Sequence, residues 1–199
     1  MNATPPPTST ATPTPPLRLD PRASAVVLID LQERVIPLMH ERRTLVRRAS
    51  RLIDGANVLG VPVWVTQQHP RSLGDTANVV TPQRKGAVFS DEAYRFSALG
   101  PALRDAIAAR GVRSVVLAGV EAHVSVLHTA LDLLDAGLTV AVCQDAVSAR
   151  RPADLRAALR RMEQAGVLPA SVEGALLEML GTPEDPRFKP LHAVIRSDG

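Results

Sequence analysis

The chain has 199 residues, a formal net charge of +3 and a hydrophobic fraction of 45%. This length suits one domain that is large enough to bury a full core. Aromatic residues make up only 3% of the chain, which argues against a base-stacking surface for nucleic acid. Cys143 is the single cysteine and lies within an apolar run, so an internal disulfide is excluded and a buried, unreactive thiol is the favoured interpretation.

Five arginines between Arg42 and Arg51 form the main basic cluster of the sequence. They alternate with apolar residues at helical spacing, which indicates the solvent-facing side of an amphipathic helix rather than a nucleic-acid site. No apolar run approaches the roughly 20 residues that span a bilayer, and the amino terminus lacks the pattern of a secretory signal. We therefore expect a cytoplasmic protein that binds neither nucleic acid nor membranes.

The first 22 residues differ in composition from the rest of the chain. They are rich in proline, threonine, alanine and serine and hold almost no apolar side chain that would join a core. Such a composition predicts a disordered tail with polyproline character and no catalytic role. The boundary is therefore placed after Arg22, with residues 23–199 forming one folded domain.

Two predicted strands open this domain. Residues 25–29 are fully apolar and end at Asp30, and after an amphipathic helix over residues 41–59 a second strand covers residues 61–66. A polar loop, residues 67–76, leaves the second strand at the same edge of the sheet as Asp30. Because burying an unpaired carboxylate is costly, a functional role for Asp30 is favoured over that of a helix cap.

Two further residues in this region are candidates for chemistry. His69 lies in the polar loop, but no partners stand at the spacing of zinc sites, so we predict no metal. Lys85 is one of two lysines in a chain that otherwise uses arginine. A compact ammonium group can adjust its pKa beside a carboxylate, although a single exposed surface lysine explains Lys85 equally well. No phosphate-binding or dinucleotide motif is present, and we expect no cofactor.

The central part of the sequence reads as a strand, a helix and a second strand. Residues 115–120 form a short β-branched run, helical spacing follows up to Gly137, and residues 138–143 form another apolar run. This pattern predicts a βαβ unit with a right-handed crossover. Ser125 then lies in the first turn of a helix that leaves the carboxyl end of a central strand, where open α/β sheets place their chemistry.

Strands and helices alternate along the whole domain. Further helices are predicted over residues 101–110, 154–165 and 172–180, and residues 183–195 close the chain with Phe188 as an aromatic anchor. Alternation of this kind without a long linker predicts a single three-layer α/β/α domain.

Several motifs carry a resemblance to a known family. They are Val27-Leu28-Ile29-Asp30-Leu31-Gln32-Glu33-Arg34, Val65-Thr66-Gln67-Gln68-His69-Pro70 with Leu73-Gly74-Asp75-Thr76, Gly119-Val120-Glu121-Ala122-His123-Val124-Ser125-Val126-Leu127, and Asp145-Ala146-Val147-Ser148. Together they resemble the isochorismatase-like cysteine hydrolase superfamily, and within it the isochorismatase-domain-containing proteins of unassigned substrate. The resemblance runs from about Ala25 to Ile195.

The resemblance implies a Rossmann-like, mostly parallel sheet and a catalytic triad of aspartate, lysine and cysteine. On this chain the three positions are Asp30, Lys85 and Ser125, so that serine stands where the family has cysteine. The resemblance also implies a cis peptide bond beside the turn that starts at Gly119, and a homo-oligomer. It places four residues in substrate binding or at an oxyanion: Gln68, Val120, Glu121 and Val124. For Glu121, a solvent-facing position remains an equal alternative.

The serine leaves three functional hypotheses open, because a hydroxyl is far harder to ionise than a thiol and needs a positioned base. In the favoured hypothesis the protein hydrolyses a small amide-type substrate, with Ser125 either as an inefficient nucleophile or only as a hydrogen-bonding group. In the second, Asp30 acts as a general acid on a vinyl ether such as isochorismate and water completes the reaction. In the third, the protein is a catalytically silent binding or scaffold protein of the same fold.

Overall fold

The computed structural model describes residues 18–78, 88–91 and 95–197, with the backbone alone for residues 90 and 91. Lys85 and residues 1–17 of the predicted tail lie outside the described residues. Residues 18–22 are ordered: Leu19 is buried and its N–H donates to a Glu178 carboxylate oxygen at 3.0 Å. Asp20 caps a 3₁₀ turn over Pro21–Ala23. The ordered domain therefore begins before the predicted boundary after Arg22.

Six parallel strands form one sheet in the described part of the chain. The strands are β1 (Ser24–Ile29), β2 (Val63–Gln68), β3 (Val88–Asp91), β4 (Ser114–Gly119), β5 (Thr139–Val147) and β6 (Leu168–Ala170). Their order in the sheet is β3-β2-β1-β4-β5-β6, and every neighbouring pair is parallel. This is the strand order of a doubly wound Rossmann-like fold, so the predicted fold class is confirmed.

The helices connect these strands. They are α1 (Arg42–Leu59), α2 (Pro70–Leu73), α3 (Pro101–Ala109), α4 (Leu127–Asp135), α5 (Pro152–Gln164), α6 (Val172–Leu180) and α7 (Phe188–Arg196). In α1 the apolar positions point into the core and the arginines outward, and the helix ends at Gly60 with a φ of 73°. None of the described helices is long and apolar enough to cross a membrane.

Two separate apolar clusters lie on the two faces of the sheet. Alternate residues of the central strands, such as Val26 and Val116, pack with α1, α6 and α7 on one face. The intervening residues, such as Val27 and Leu117, pack with α3, α4 and α5 on the other. The central strands are therefore buried on both sides, which explains their continuous apolar runs.

The structure corrects several predicted boundaries. β3 and β6 are absent from the sequence prediction, because each is only three or four residues long. β2 starts at Val63 rather than at Val61, and β5 continues past Cys143 to Val147. The closing segment contains a helix over Phe188–Arg196.

Candidate active site

The candidate site lies at the carboxyl ends of β1 and β4, the two central strands of the sheet. The chain passes from β1 to β2 on one side and from β4 to β5 on the other, so the strand order reverses between β1 and β4. In open α/β sheets the crevice outside such a point is where ligands bind. Asp30 follows β1 directly, and Val120 and Glu121 follow β4.

Gly119 allows these two strand ends to approach each other. Its φ is 120°, and a Cβ atom at this position would lie 2.1 Å from the carbonyl oxygen of Ile29. The next N–H, that of Val120, donates to the same oxygen at 2.9 Å. A side chain at residue 119 would therefore push β1 and β4 apart just where Asp30 begins.

Asp30 is a buried carboxyl, 6% exposed, in a left-handed backbone conformation with a φ of 50°. Burial raises its pKa to about 6, against the opposing effect of hydrogen bonds from Thr66 and Ser125, which lower it. The Thr66 hydroxyl donates to Asp30 Oδ1 at 2.9 Å. Asp30 thus accepts a hydrogen bond from Thr66, interacts with Ser125, and has a pKa well above that of an exposed aspartate.

Ser125 is 5% exposed and lies in a π-helical turn, Ala122–Val126, that precedes α4. The sequence predicted an ordinary first helical turn at this position. π-Helical turns are rare in proteins, and those that occur often lie at functional sites. We refer to Ala122–Val126 as the serine turn. The Ser125 carbonyl accepts a hydrogen bond from Thr129 Oγ1 at 2.6 Å, and the same Thr129 oxygen accepts from the Ala98 N–H at 2.8 Å. Thr129 therefore ties the serine turn to the segment that leads into α3.

Glu121 carries a candidate backbone donor beside the serine turn. The Val120–Glu121 peptide bond is cis, as the resemblance implies. The Val120 N–H is already used by Ile29, and the Val124 N–H donates to the Glu121 carbonyl at 3.0 Å. In the described part of the chain the Glu121 N–H is not among the backbone donors that are paired in turns and loops, so it is a candidate donor at the predicted oxyanion position.

Two adjoining cavities meet at the candidate site. The larger, of about 370 Å³, contains Ser125 and the turn after β4, and the smaller, of about 220 Å³, lies against the start of α3. Both are lined by Asp30, Gln68 and Phe96. A volume of this size suits a small molecule.

The structure brings together six of the seven predicted site residues, and the seventh, Lys85, lies outside the described residues. All six line the larger cavity: Asp30, Gln68, Val120, Glu121, Val124 and Ser125. Their roles in catalysis and binding stay predictions. The described residues contain no group of three or more histidine, cysteine, aspartate or glutamate side chains arranged to hold a metal ion.

Gln68 is held in place by Gln32, a residue that the sequence analysis did not single out. Gln32 is fully buried; its amide nitrogen donates to the Gln68 and Gly74 carbonyls at 3.0 and 2.6 Å. Its amide oxygen accepts from the Gln68 N–H at 3.0 Å. The Gln68 side chain in turn donates to the Arg95 carbonyl. Gln32 is followed by Glu33 and Arg34, so its neighbours in the sequence do not indicate that it is buried.

Two arginines also line the cavity and were missed. Arg150 Nε donates to Glu121 Oε2 at 2.8 Å, and the Glu121 side chain is 19% exposed. Glu121 therefore belongs to the wall of the cavity rather than to open solvent. Arg34 donates to the Ser72 carbonyl at 2.9 Å. Neither arginine has a sequence signal, because both belong to a chain rich in arginine.

This chain is similar in sequence and in fold to known proteins. The family model for the isochorismatase domain matches residues 24–174. Isochorismatase domain-containing protein 1 of Danio rerio is 37% identical over 179 residues. These residues are 89% of this chain and 62% of the Danio rerio protein, so this chain spans less than two thirds of the length of that relative. Isochorismatase domain-containing protein 2 of Homo sapiens is 36% identical over 90% of this chain and 86% of its own.

A solved structure agrees with these sequence matches. The structure of the MAR1 ribonuclease from Caenorhabditis elegans superimposes with a TM-score of 0.86 at 35% identity, covering 91% of this chain and 93% of that one. The strand order, this superposition and the sequence matches lead to one conclusion. The chain belongs to the isochorismatase family.

Proposed function

We propose that the protein is a hydrolase of a small amide-type substrate, with Ser125 as the nucleophile and Asp30 as its general base. The observation that carries this proposal is the placement of Ser125 and Asp30 on the wall of one cavity, where the Thr66 hydroxyl donates to Asp30 Oδ1 at 2.9 Å and the interaction with Ser125 lowers the pKa of the Asp30 carboxyl. A nucleophile, a base within reach and a third group that orients the base are the parts that activate a hydroxyl.

The protonation state of Asp30 supports the same assignment. With a pKa of about 6, the Asp30 side chain is mostly a carboxylate at pH 7 and is a stronger base than an exposed aspartate, whose pKa is 3.8. A base is most effective when its pKa lies near the working pH. The buried setting therefore favours proton transfer from Ser125 to Asp30.

The reaction has two steps. Asp30 takes the Ser125 proton as the hydroxyl oxygen attacks the amide carbonyl, and the Glu121 N–H donates to the oxyanion that forms. Protonated Asp30 then returns the proton to the departing nitrogen, which leaves as ammonia or an amine, with the acyl group on Ser125. Water, deprotonated by the same carboxylate, releases the acid and restores the serine. The family resemblance adds Lys85 as the third triad member.

A second candidate is hydrolysis of a vinyl ether with Asp30 as general acid, and the raised pKa of Asp30 favours it. In this reaction Ser125 is not a nucleophile. Its rate should rise as the pH falls through about 6, because protonated Asp30 is the active form, whereas amide hydrolysis should fall over the same range.

The deciding experiment measures turnover of small primary amides, isochorismate and an RNA oligonucleotide. RNA is included because the Caenorhabditis elegans relative is named a ribonuclease. We expect the wild type to hydrolyse amides, and Ser125→Ala and Asp30→Asn to lose roughly 10²- to 10⁴-fold in kcat, the range for a general base. Ser125→Cys should keep activity, and Lys85→Ala should reduce it.

Ser114→Ala is the matched control, because Ser114 is a buried serine at the opposite end of β4. It should leave amide turnover unchanged. Isochorismate turnover that survives Ser125→Ala would select the vinyl-ether reaction. If only Ser125→Cys is active, the protein is a silent member of the family that kept the remaining machinery. Light scattering on the same samples measures the molar mass in solution and so tests the prediction that the protein is a homo-oligomer.

A further inference from the structure

We propose that the substrate carries a carboxylate, joined to the scissile amide by a short apolar body, and that Arg34 and Arg150 bind this carboxylate at the mouth of the larger cavity. The inference rests on the proposed amide hydrolysis and names the class of its substrate. The inference rests on a contrast within the cavity, whose mouth is lined by charged side chains and whose deeper wall is mainly apolar.

The mouth of the cavity has an excess of positive charge. Arg34, Glu121 and Arg150 are the charged residues that line it above Asp30, in the described part of the chain. Arg150 donates one N–H to the Glu121 carboxylate, and the Arg150 side chain is 59% exposed. Arg34 donates from one guanidinium nitrogen to the Ser72 carbonyl. Two guanidinium groups against one carboxylate leave one positive charge, which suits a monoanion.

Apart from Gln68, the wall between the mouth and the reacting groups is apolar. Its side chains are Val35, Leu38, Met39, Leu73, Phe96, Val120 and Val124. Leu38 and Phe96 are each 63% exposed and stand at the entrance, while Val120 is fully buried beside Asp30. A ligand that passes along this wall must itself be apolar there, because its polar groups would lose their hydrogen bonds with water.

These features describe a molecule with an amide at one end and a carboxylate at the other. Arginine binds carboxylates well because its planar donors match the two oxygens. A rigid probe of this kind is 4-carbamoylbenzoate, in which a benzene ring separates the two groups. Benzamide has the same amide and ring without the carboxylate.

The test compares these two amides with the wild type, Arg34→Gln and Arg150→Gln. We expect the wild type to prefer 4-carbamoylbenzoate, and each substitution to lower the ratio of kcat/KM for 4-carbamoylbenzoate over benzamide about 2- to 5-fold, as for loss of one partly exposed ion pair. The effect should appear in KM, because the carboxylate lies away from the reacting atoms. Arg160→Gln, an exposed arginine of α5, should leave the ratio unchanged.

Binding of terephthalate, which has no amide, separates this inference from the proposed function. If the wild type hydrolyses neither amide but binds terephthalate, and the two substitutions weaken that binding, amide hydrolysis is wrong and the carboxylate site stands. Equal kcat/KM for both amides in the wild type, with no change of the ratio in either variant, would overturn the carboxylate site and leave the hydrolase intact. Preference for a phosphate-bearing ligand would also overturn it.

Discussion

Asp30 is the residue on which the site depends, and its burial has an energetic cost. In the described part of the chain its carboxylate is stabilised by hydroxyl donors, and burial still raises the pKa to about 6. Since the pKa of an exposed aspartate is 3.8, ionising Asp30 in the folded protein costs about 3 kcal/mol of stability. The folded protein holds this proton more tightly than the unfolded chain, so stability falls as the pH rises from about 4 to 6 and the full cost is present above pH 6.

Replacing Asp30 by asparagine should therefore stabilise the protein at neutral pH. Asparagine tolerates the left-handed backbone of residue 30 and keeps an oxygen that accepts from Thr66, but it does not ionise. We expect the unfolding free energy of Asp30→Asn to exceed that of the wild type by up to about 3 kcal/mol at pH 7.5 and to equal it near pH 4.

Urea denaturation at both pH values measures this difference. Asp105→Asn, which removes an exposed carboxyl of α3, is the control and should follow the wild type. The same gain in stability at pH 4 and pH 7.5 would show that ionisation of Asp30 is not its cause.

Thr66 should lower the pKa of Asp30 against the effect of burial. Its hydroxyl donates to the carboxylate and so favours the charged form, which means that Thr66→Val should raise the Asp30 pKa above about 6. NMR titration of the Asp30 side-chain carboxyl measures this pKa directly, and the acid limb of kcat/KM against pH should move to higher pH with it. Thr66→Ser keeps the hydroxyl and should leave both values near those of the wild type. A lower pKa in Thr66→Val would contradict this role.

The elements that matter most for the site are the ends of β1 and β4. They are in register from Ser24 opposite Ser114 to Ile29 opposite Gly119. Beyond Leu117 the pairing of β4 with β5 shifts register, and the chain turns into the cis bond and the serine turn. Two strand ends held in register thus deliver Asp30 and Ser125 to one point.

Gly119→Ala should disrupt this arrangement. The new Cβ atom would meet the Ile29 backbone, which is fixed in the centre of the sheet, and we expect a loss of at least about 2–4 kcal/mol in unfolding free energy, together with loss of activity. Gly137→Ala is the matched control, because Gly137 also has a positive φ, of 80°, but a Cβ atom there would meet nothing within 4 Å. That substitution should cost only about 1–2 kcal/mol for the backbone conformation. Urea denaturation compares the two, and equal losses would rule out the close approach as the cause.

At the scale of the whole molecule, the sequence predicted the layers, the central βαβ unit and the edge at which the site lies. These follow from local patterns, since apolar runs and helical spacing are read directly from neighbouring residues. The positions of Asp30 and Ser125 were predicted because Asp30 directly follows one apolar run and Ser125 lies in the first turn after another. The short strands β3 and β6 carry too few residues to show a pattern.

The contacts that complete the site depend on strand register, which spacing along the chain does not reveal. Thr66 donates a hydrogen bond to Asp30, and the Gln68 N–H donates one to Gln32. Both pairs are 36 residues apart in the sequence, because β1 and β2 pair in parallel. Arg150 reaches Glu121 only after the chain has passed through α4 and β5. The sequence therefore predicted residues at the ends of strands but not the partners that neighbouring strands bring to them.

The burial of Leu19 fixes residue 18 at the edge of the sheet opposite the cavity, which matters when the protein is immobilised through this end. Leu19 packs just before β1 starts and bonds to Glu178 of α6, whereas the cavity lies where β1 ends. Six residues of strand separate the two edges by about 20 Å. A protein coupled to a bead or sensor surface at residue 18 would therefore turn its cavity toward the solution, with the entrance between Leu38 and Phe96 clear of the support.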